Sequence, residues 1–243
     1  MRIKVPEISV PHFWLSNFGK IQNYLHHTLK KGTLHEVGLS SLGYPIRAIE
    51  YARPGCVKLM VIGSTHGHEP GTVAAAMNLI HLMESGADLA NQQHDQLLNL
   101  LTQVHLYIVP CLNPDGRTVC PDSFYAQSTE TVKVYSSGLQ KDGSLIPYDS
   151  GSETPLYYFN PDDAIFMGGQ FNGAGYASNR RRSCDTCDAV EVQAALNFSR
   201  DLGLDAIYGS ARLWLQFLNS DAFGRATLLA GDARVAPTSR NDL

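Results

Sequence analysis

No stretch of this sequence is apolar for long enough to span a bilayer. Its first twenty residues, broken by Pro6, Pro11, His12 and Asn17, hold no uninterrupted apolar segment of the secretory kind. Charge of one sign is also missing. The 19 Lys and Arg stand against 23 Asp and Glu, a formal net charge of −4, so the chain lacks the basic footprint of a dedicated nucleic-acid binder. Its densest positive run, Arg180-Arg181-Arg182, reads by itself as solvated surface. The five cysteines are odd in number and scattered, which fits a reducing cytoplasm better than a disulfide scaffold. Cys184-x-x-Cys187 has no second such pair and no nearby histidine pair to complete a zinc site. Repeats and low-complexity tracts are absent. The expectation is a cytoplasmic globular chain with neither membrane nor nucleic-acid partner, its 243 residues enough for one sizeable domain.

What is present alternates between strand and helix signals. Phe18, Ile21, Leu25 and Leu29 recur at helical spacing. Ile46–Tyr51 and Lys58–Gly63 read as strands separated by the turn Arg53-Pro54-Gly55. The second is a near-continuous apolar run, as expected of a strand covered on both faces. A helix is predicted over Thr72–Met83, a short one over Gln96–Leu101, and another buried strand over Val104–Val109. Strand, helix, strand in this order predicts an α/β fold with a largely parallel sheet. Residues 118–175 are rich in Tyr, Ser, Gly, Asp and Pro with little periodicity, and are expected to form an irregular lid or insertion. Regularity returns with a helix over Ala189–Leu202 and a strand beginning at Leu204-Asp205-Ala206-Ile207.

Two polar clusters fall where the predicted strands end, the position at which open α/β sheets bind ligands. The first is Gly63-Ser64-Thr65-His66-Gly67-His68-Glu69-Pro70-Gly71, the second Asn113-Pro114-Asp115-Gly116. His66 and Glu69 stand three apart across a strand-to-helix turn, so an imidazole nitrogen and a carboxylate can converge on one ion. With one further protein ligand and an open position, that is the donor set of catalytic Zn²⁺. The same pair also suits a helix N-terminus, where a carboxylate is favourable. Asn113-Pro114-Asp115-Gly116 is equally a string of standard turn residues.

Taken together, His66-x-x-Glu69, Asn113-Pro114-Asp115-Gly116 and Asn179-Arg180 resemble the motifs of the M14 zinc metallocarboxypeptidases, in kind and in order. The resemblance spans roughly Ile46 to Ile207. It implies a three-layer fold with a mixed, largely parallel sheet flanked by helices, and a Zn²⁺ cofactor held by His66 and Glu69. It implies further that Asn179 and Arg180 grip the terminal carboxylate of a peptide substrate, a task that suits a guanidinium fork. Arg117 is the candidate for polarising the scissile carbonyl. The implied reaction is attack of zinc-bound water on a C-terminal peptide bond, assisted by a glutamate base. His68 is not expected to be a ligand, and the histidines at 26, 27, 81, 94 and 105 read as core or surface residues.

The family's third zinc ligand is a histidine at the end of the strand after the 189–202 helix, in a context like Asp-Leu-His. Here no histidine follows His105, and the family's glutamate base has no counterpart either. One permitted back-translation of residues 208–217, reread one base later, encodes Met-Asp-Leu-His-Ala-Cys-Gly-Tyr-Asn, with its histidine in register with Ala211. The expectation is therefore a partial peptidase domain over residues 1–207, followed by an aberrant tail over 208–243 created by a frameshift. On that reading this chain lacks the third ligand and the base, and hydrolyses little. Two rivals stay open: an N-acyl amino acid deacylase of the aspartoacylase or succinylglutamate desuccinylase type, whose His-Gly-x-Glu-Pro turn resembles residues 66–70, and a metal-free module that binds peptide C-termini.

Overall fold

The structure, a computed structural model, describes residues 8–147, 157–178 and 189–209, together with a short strand at 216–217. Helix α1 (Phe18–Thr28) is capped by Asn17, whose side chain accepts from the Lys20 N–H, and buries Phe18, Ile21 and Leu25. An antiparallel pair follows, β1 (Thr33–Leu39) with β2 (Pro45–Tyr51). The chain then runs through β3 (Lys58–Ile62), α2 (Pro70–Ser85), α3 (Asp95–Leu101) and β4 (His105–Val109). Later come α6 (Val190–Leu202), β7 (Ala206–Gly209) and β8 (Gln216–Phe217). Between them lie α4 (Pro114–Thr118), α5 (Thr129–Ser137) and a small antiparallel sheet of β5 (Gly138–Gln140) with β6 (Ala164–Met167).

The main sheet has the order β1-β2-β4-β3-β7-β8. Strands β4, β3 and β7 are mutually parallel, while β1, β2 and β8 join antiparallel. Alternation along the central strands explains why both faces are covered. Ile49, Tyr51, Leu106 and Ile108 point to one face, where Val73, Met77 and Ile80 of α2 and Ile21 and Leu25 of α1 pack. Ile46, Ala48, Met60, Ile62, Tyr107 and Val109 point to the other, against Ala195 of α6. The result is a three-layer fold with a mixed sheet between helices, as the sequence predicts.

The stretch from 118 to 175 departs from expectation. Instead of an irregular lid, its described part holds α5, the β5–β6 sheet and a small core of Ile146, Phe171 and Ala177. Its loops are held by side-chain-to-backbone bonds rather than by apolar periodicity; the Ser128 hydroxyl, for example, caps α5 by accepting from the Thr131 N–H. It is also a wall of the site, through Gly169.

Among the described residues no helix is long and apolar enough to cross a membrane. The aberrant tail expected over 208–243 lies almost wholly outside the described residues, as do Asn179, Arg180, Cys184 and Cys187.

Candidate metal centre

Strands β3 and β4 lie parallel in register, Ile62 beside Val109, so their carboxyl ends emerge side by side. Three backbone bonds splice the two turns that follow: Gly63 N–H to the Val109 carbonyl, Leu112 N–H to Gly63, and Asn113 N–H to Ser64. Ser64 adopts a positive φ of 50°, a strained conformation for a residue with a Cβ, and swings the chain away from the strand direction. Its N–H is taken by the Thr72 hydroxyl at 2.9 Å, which itself donates to the Glu69 carbonyl at 2.8 Å.

Gly67 is where the turns press together. A Cβ built on it would stand 1.9 Å from the Gly116 carbonyl carbon and 2.2 Å from the Arg117 nitrogen, both backbone atoms, so no larger residue fits. From the other side Gly169 accepts the Gly67 N–H at 2.7 Å, and a Cβ on Gly169 would meet the His68 nitrogen at 2.4 Å. Residues 66–69 are thus clamped between α4 and the insertion.

The clamp brings His66, His68 and Glu69 together. His66 Nδ1 lies 3.0 Å from Glu69 Oε1, and one donor atom from each of the three residues falls within 4.8 Å of the other two. The two imidazole rings are nearly parallel, 13° apart, with centroids 5.4 Å from each other. His66 Nε2, His68 Nδ1 and Glu69 Oε2 are buried with no hydrogen-bond partner among the described residues.

These contacts bear on the two readings of His66-x-x-Glu69. Glu69 does occupy the N-cap of α2, yet its side chain makes no capping bond and Pro70 follows at the first turn. Its carboxylate is turned to His66 instead. Buried donor atoms without partners are rare in folded proteins, and an imidazole and carboxylate sharing such a cluster fit a divalent cation of the Zn²⁺ kind. Burial pushes the His68 imidazole down to about 4; neighbouring His66 acts in the same direction, and Glu69 and Gly169 oppose it. That ring is therefore neutral near pH 7. Burial raises the thiols of Cys111 and Cys120 to about 12, so neither supplies a thiolate there.

Arg117 stands differently from expectation. Its side chain is 2% exposed. Nη1 donates to the Gly67 carbonyl at 2.8 Å, and Nη2 donates to the carbonyls of Cys120, at 2.7 Å, and Pro121. Burial holds its pKa below the ordinary guanidinium value. Nε is buried without a partner among the described residues, and the three bonds to backbone carbonyls give Arg117 a holding role beside the polarising one expected.

The second motif proves to be a buried anchor. Asn113 accepts from the Gly116 N–H and donates to the Phe171 carbonyl. Asp115 accepts from the hydroxyls of Ser40 and Ser41, at 2.5 and 2.6 Å, and from the N–H of Gly173 at 2.9 Å. Fully buried Glu191 joins the same network through Ser41 N–H and Asn172, its pKa raised by burial. Glu191 went unmarked in the sequence because an acidic residue in a helix's first turn is ordinary.

Comparison with known proteins accords with this geometry. The zinc carboxypeptidase family model, Peptidase M14, matches residues 24–130. Carboxypeptidase SOL1 of Arabidopsis thaliana is 26% identical over 186 residues, covering 60% of this chain and 37% of its own length. A crystal structure from Burkholderia mallei ATCC 23344, assigned as a carboxypeptidase, shares the fold with a TM-score of 0.50 at 17% identity, over 79% of this chain and 38% of that one. This chain therefore spans less than two fifths of the length of either relative. Over residues 24–130, which hold both strand-end turns, it is similar to the zinc carboxypeptidase family.

Proposed function

We propose that this chain carries part of the active site of a zinc-dependent carboxypeptidase, which hydrolyses the C-terminal peptide bond of its substrates. The observation that supports this most is the His66–Glu69 pair, held at the carboxyl end of β3 with buried nitrogen and oxygen atoms that no described residue satisfies. His66 and Glu69 would hold the metal. The chemistry such an ion supplies is Lewis acidity toward a carbonyl oxygen and toward water.

The chain's own residues do the rest. Gly67 allows the turn to sit flush on α4, and Arg117 fixes it by gripping the Gly67 carbonyl. Arg117 is a positioning residue here. Asn179 and Arg180, outside the described residues, are the proposed grip for the substrate carboxylate, a bidentate match for a guanidinium. The family match favours this reading over the N-acyl amino acid deacylase alternative.

The test is release of a C-terminal residue, followed by mass spectrometry, from peptides with free or amidated C-termini and from N-acyl amino acids. The full chain, supplied with Zn²⁺, is expected to act slowly on free C-termini alone, and to stop with a chelator or with Glu69→Gln. No release above the metal-free background, release insensitive to the chelator, or preference for N-acyl amino acids would overturn the proposal.

A further inference from the structure

Nothing in the spacing of the sequence gives His68 a metal role, yet the fold turns it toward His66 and Glu69. Its donor atom lies within 4.8 Å of theirs. Its Nδ1 is buried and unpartnered among the described residues. The backbone on both sides is fixed by close approaches, Gly67 against residues 116–117 and Gly169 against the His68 nitrogen.

The ring centroids stand at the separation a shared ion needs, and the near-parallel, stacked rings would turn for both nitrogens to face it. Two imidazoles bound to one ion at about 2.0–2.1 Å, near the tetrahedral angle, hold their centroids roughly 5 Å apart; here the separation is 5.4 Å. Four of the other histidines are engaged elsewhere. His35 and His105 bond Glu50, His81 bonds Tyr24, and His94 bonds Asp88. No histidine follows His105 in the sequence. Strand β7, parallel to β3 with Gly209 beside Ile62, brings no imidazole to the same sheet end.

We infer that His68 is the third protein ligand in this chain, so that His66, His68 and Glu69 form a complete three-donor set on one strand-to-helix turn. The inference rests on reading His66 and Glu69 as a metal pair. Two imidazoles and one carboxylate leave a fourth position open, the donor count of a catalytic zinc site. All three ligands would come from one clamped turn, with none required from the far end of β7.

The test uses the full chain loaded with Zn²⁺ or Co²⁺ alone. X-ray absorption at the zinc edge counts the coordinated imidazoles, and the Co²⁺ visible spectrum reports the donor set. Affinities of the wild type, His66→Asn, His68→Asn and Glu69→Gln are measured by competition with a chromophoric chelator. Two imidazoles are expected in the wild type, with an altered Co²⁺ spectrum in His68→Asn. Its affinity should fall by at least about 100-fold, since loss of an outer-shell partner alone costs about 10–100-fold.

One imidazole in the wild type would overturn the inference, with no variant needed. So would wild-type affinity and spectrum in a folded His68→Asn, alongside lost binding in His66→Asn and Glu69→Gln; that result leaves the two-residue reading standing. If the wild type binds neither ion, both readings fall. Far-UV circular dichroism on each variant separates a lost ligand from a lost fold.

Discussion

The Arg117 guanidinium donates to the carbonyl oxygen of Gly67 at 2.8 Å, tying the turn after β3 to the helix after β4. That junction is one of the contacts that position His66, His68 and Glu69, with the Gly67–Gly169 bond and the Thr72 hydroxyl. A buried cation solvated by carbonyl oxygens rather than paired with a carboxylate depends on the bonds it does make.

Replacing Arg117 by Met should therefore lower unfolding stability by about 3 kcal/mol or more, since it leaves buried carbonyls at 67, 120 and 121 without a donor. Arg117→Lys should recover only part of that loss, because an ammonium cannot reproduce the fork. Denaturant unfolding with a common slope measures both. A variant of unchanged midpoint would show that the clamp contributes nothing.

Gly67→Ala tests the contact from the other side. A Cβ would overlap the backbone of residues 116 and 117, which no side-chain rotation relieves. The expected effect is a destabilisation of about 3 kcal/mol or more, at the high end for a single methyl group. Ala at Gly43, where a Cβ meets nothing within 4 Å but φ is +84°, should cost only about 1 kcal/mol. Equal melting temperatures for the two variants would contradict the account.

Much of this fold is legible in the sequence, and the exceptions have physical causes. Strands β3 and β4 announce themselves because burial on both faces demands unbroken apolar runs. Strand β1 does not. It is an edge strand with His35 and Glu36 in its middle and a register shift before Gly38, where α6 comes so close that a Cβ would meet Ala194 at 2.8 Å. The insertion hid its helix for a related reason: only Tyr135 of α5 is buried, which leaves no apolar stripe to read. At the site, sequence order indicated His66 and Glu69. It could not indicate the direction of His68, because in a non-helical turn side-chain direction follows no fixed period. Arg117 was read for its charge, and its burial and carbonyl partners follow from the fold rather than from its place in the sequence.

Away from the site, Glu84 offers a test by pH. Its carboxylate accepts the N–H groups of Lys30, Lys31 and Gly32 and the Tyr51 hydroxyl, joining α2 to the start of β1. Partial burial alone would raise its pKa, but those bonds outweigh it and hold the value below 4.5. A carboxyl depressed in the folded state contributes stability that is present above its unfolded value and lost as pH falls through its folded one. Glu84→Gln should thus cost about 1 kcal/mol at neutral pH, and the gap from wild type should close as pH drops below 4.5. Thermal unfolding of both proteins across that range measures it. A gap independent of pH would mean that the carboxylate's charge plays no part.

Zinc binding by the full chain, measured by titration calorimetry with Glu69→Gln as the control, tests the central claim most directly. The account predicts one ion per wild-type chain and loss of that binding in the variant, whose circular dichroism should match wild type because Glu69 makes no capping bond. A wild type that binds no zinc, or a Glu69→Gln protein that binds it equally well, would contradict the assignment of the His66–Glu69 turn as a metal site.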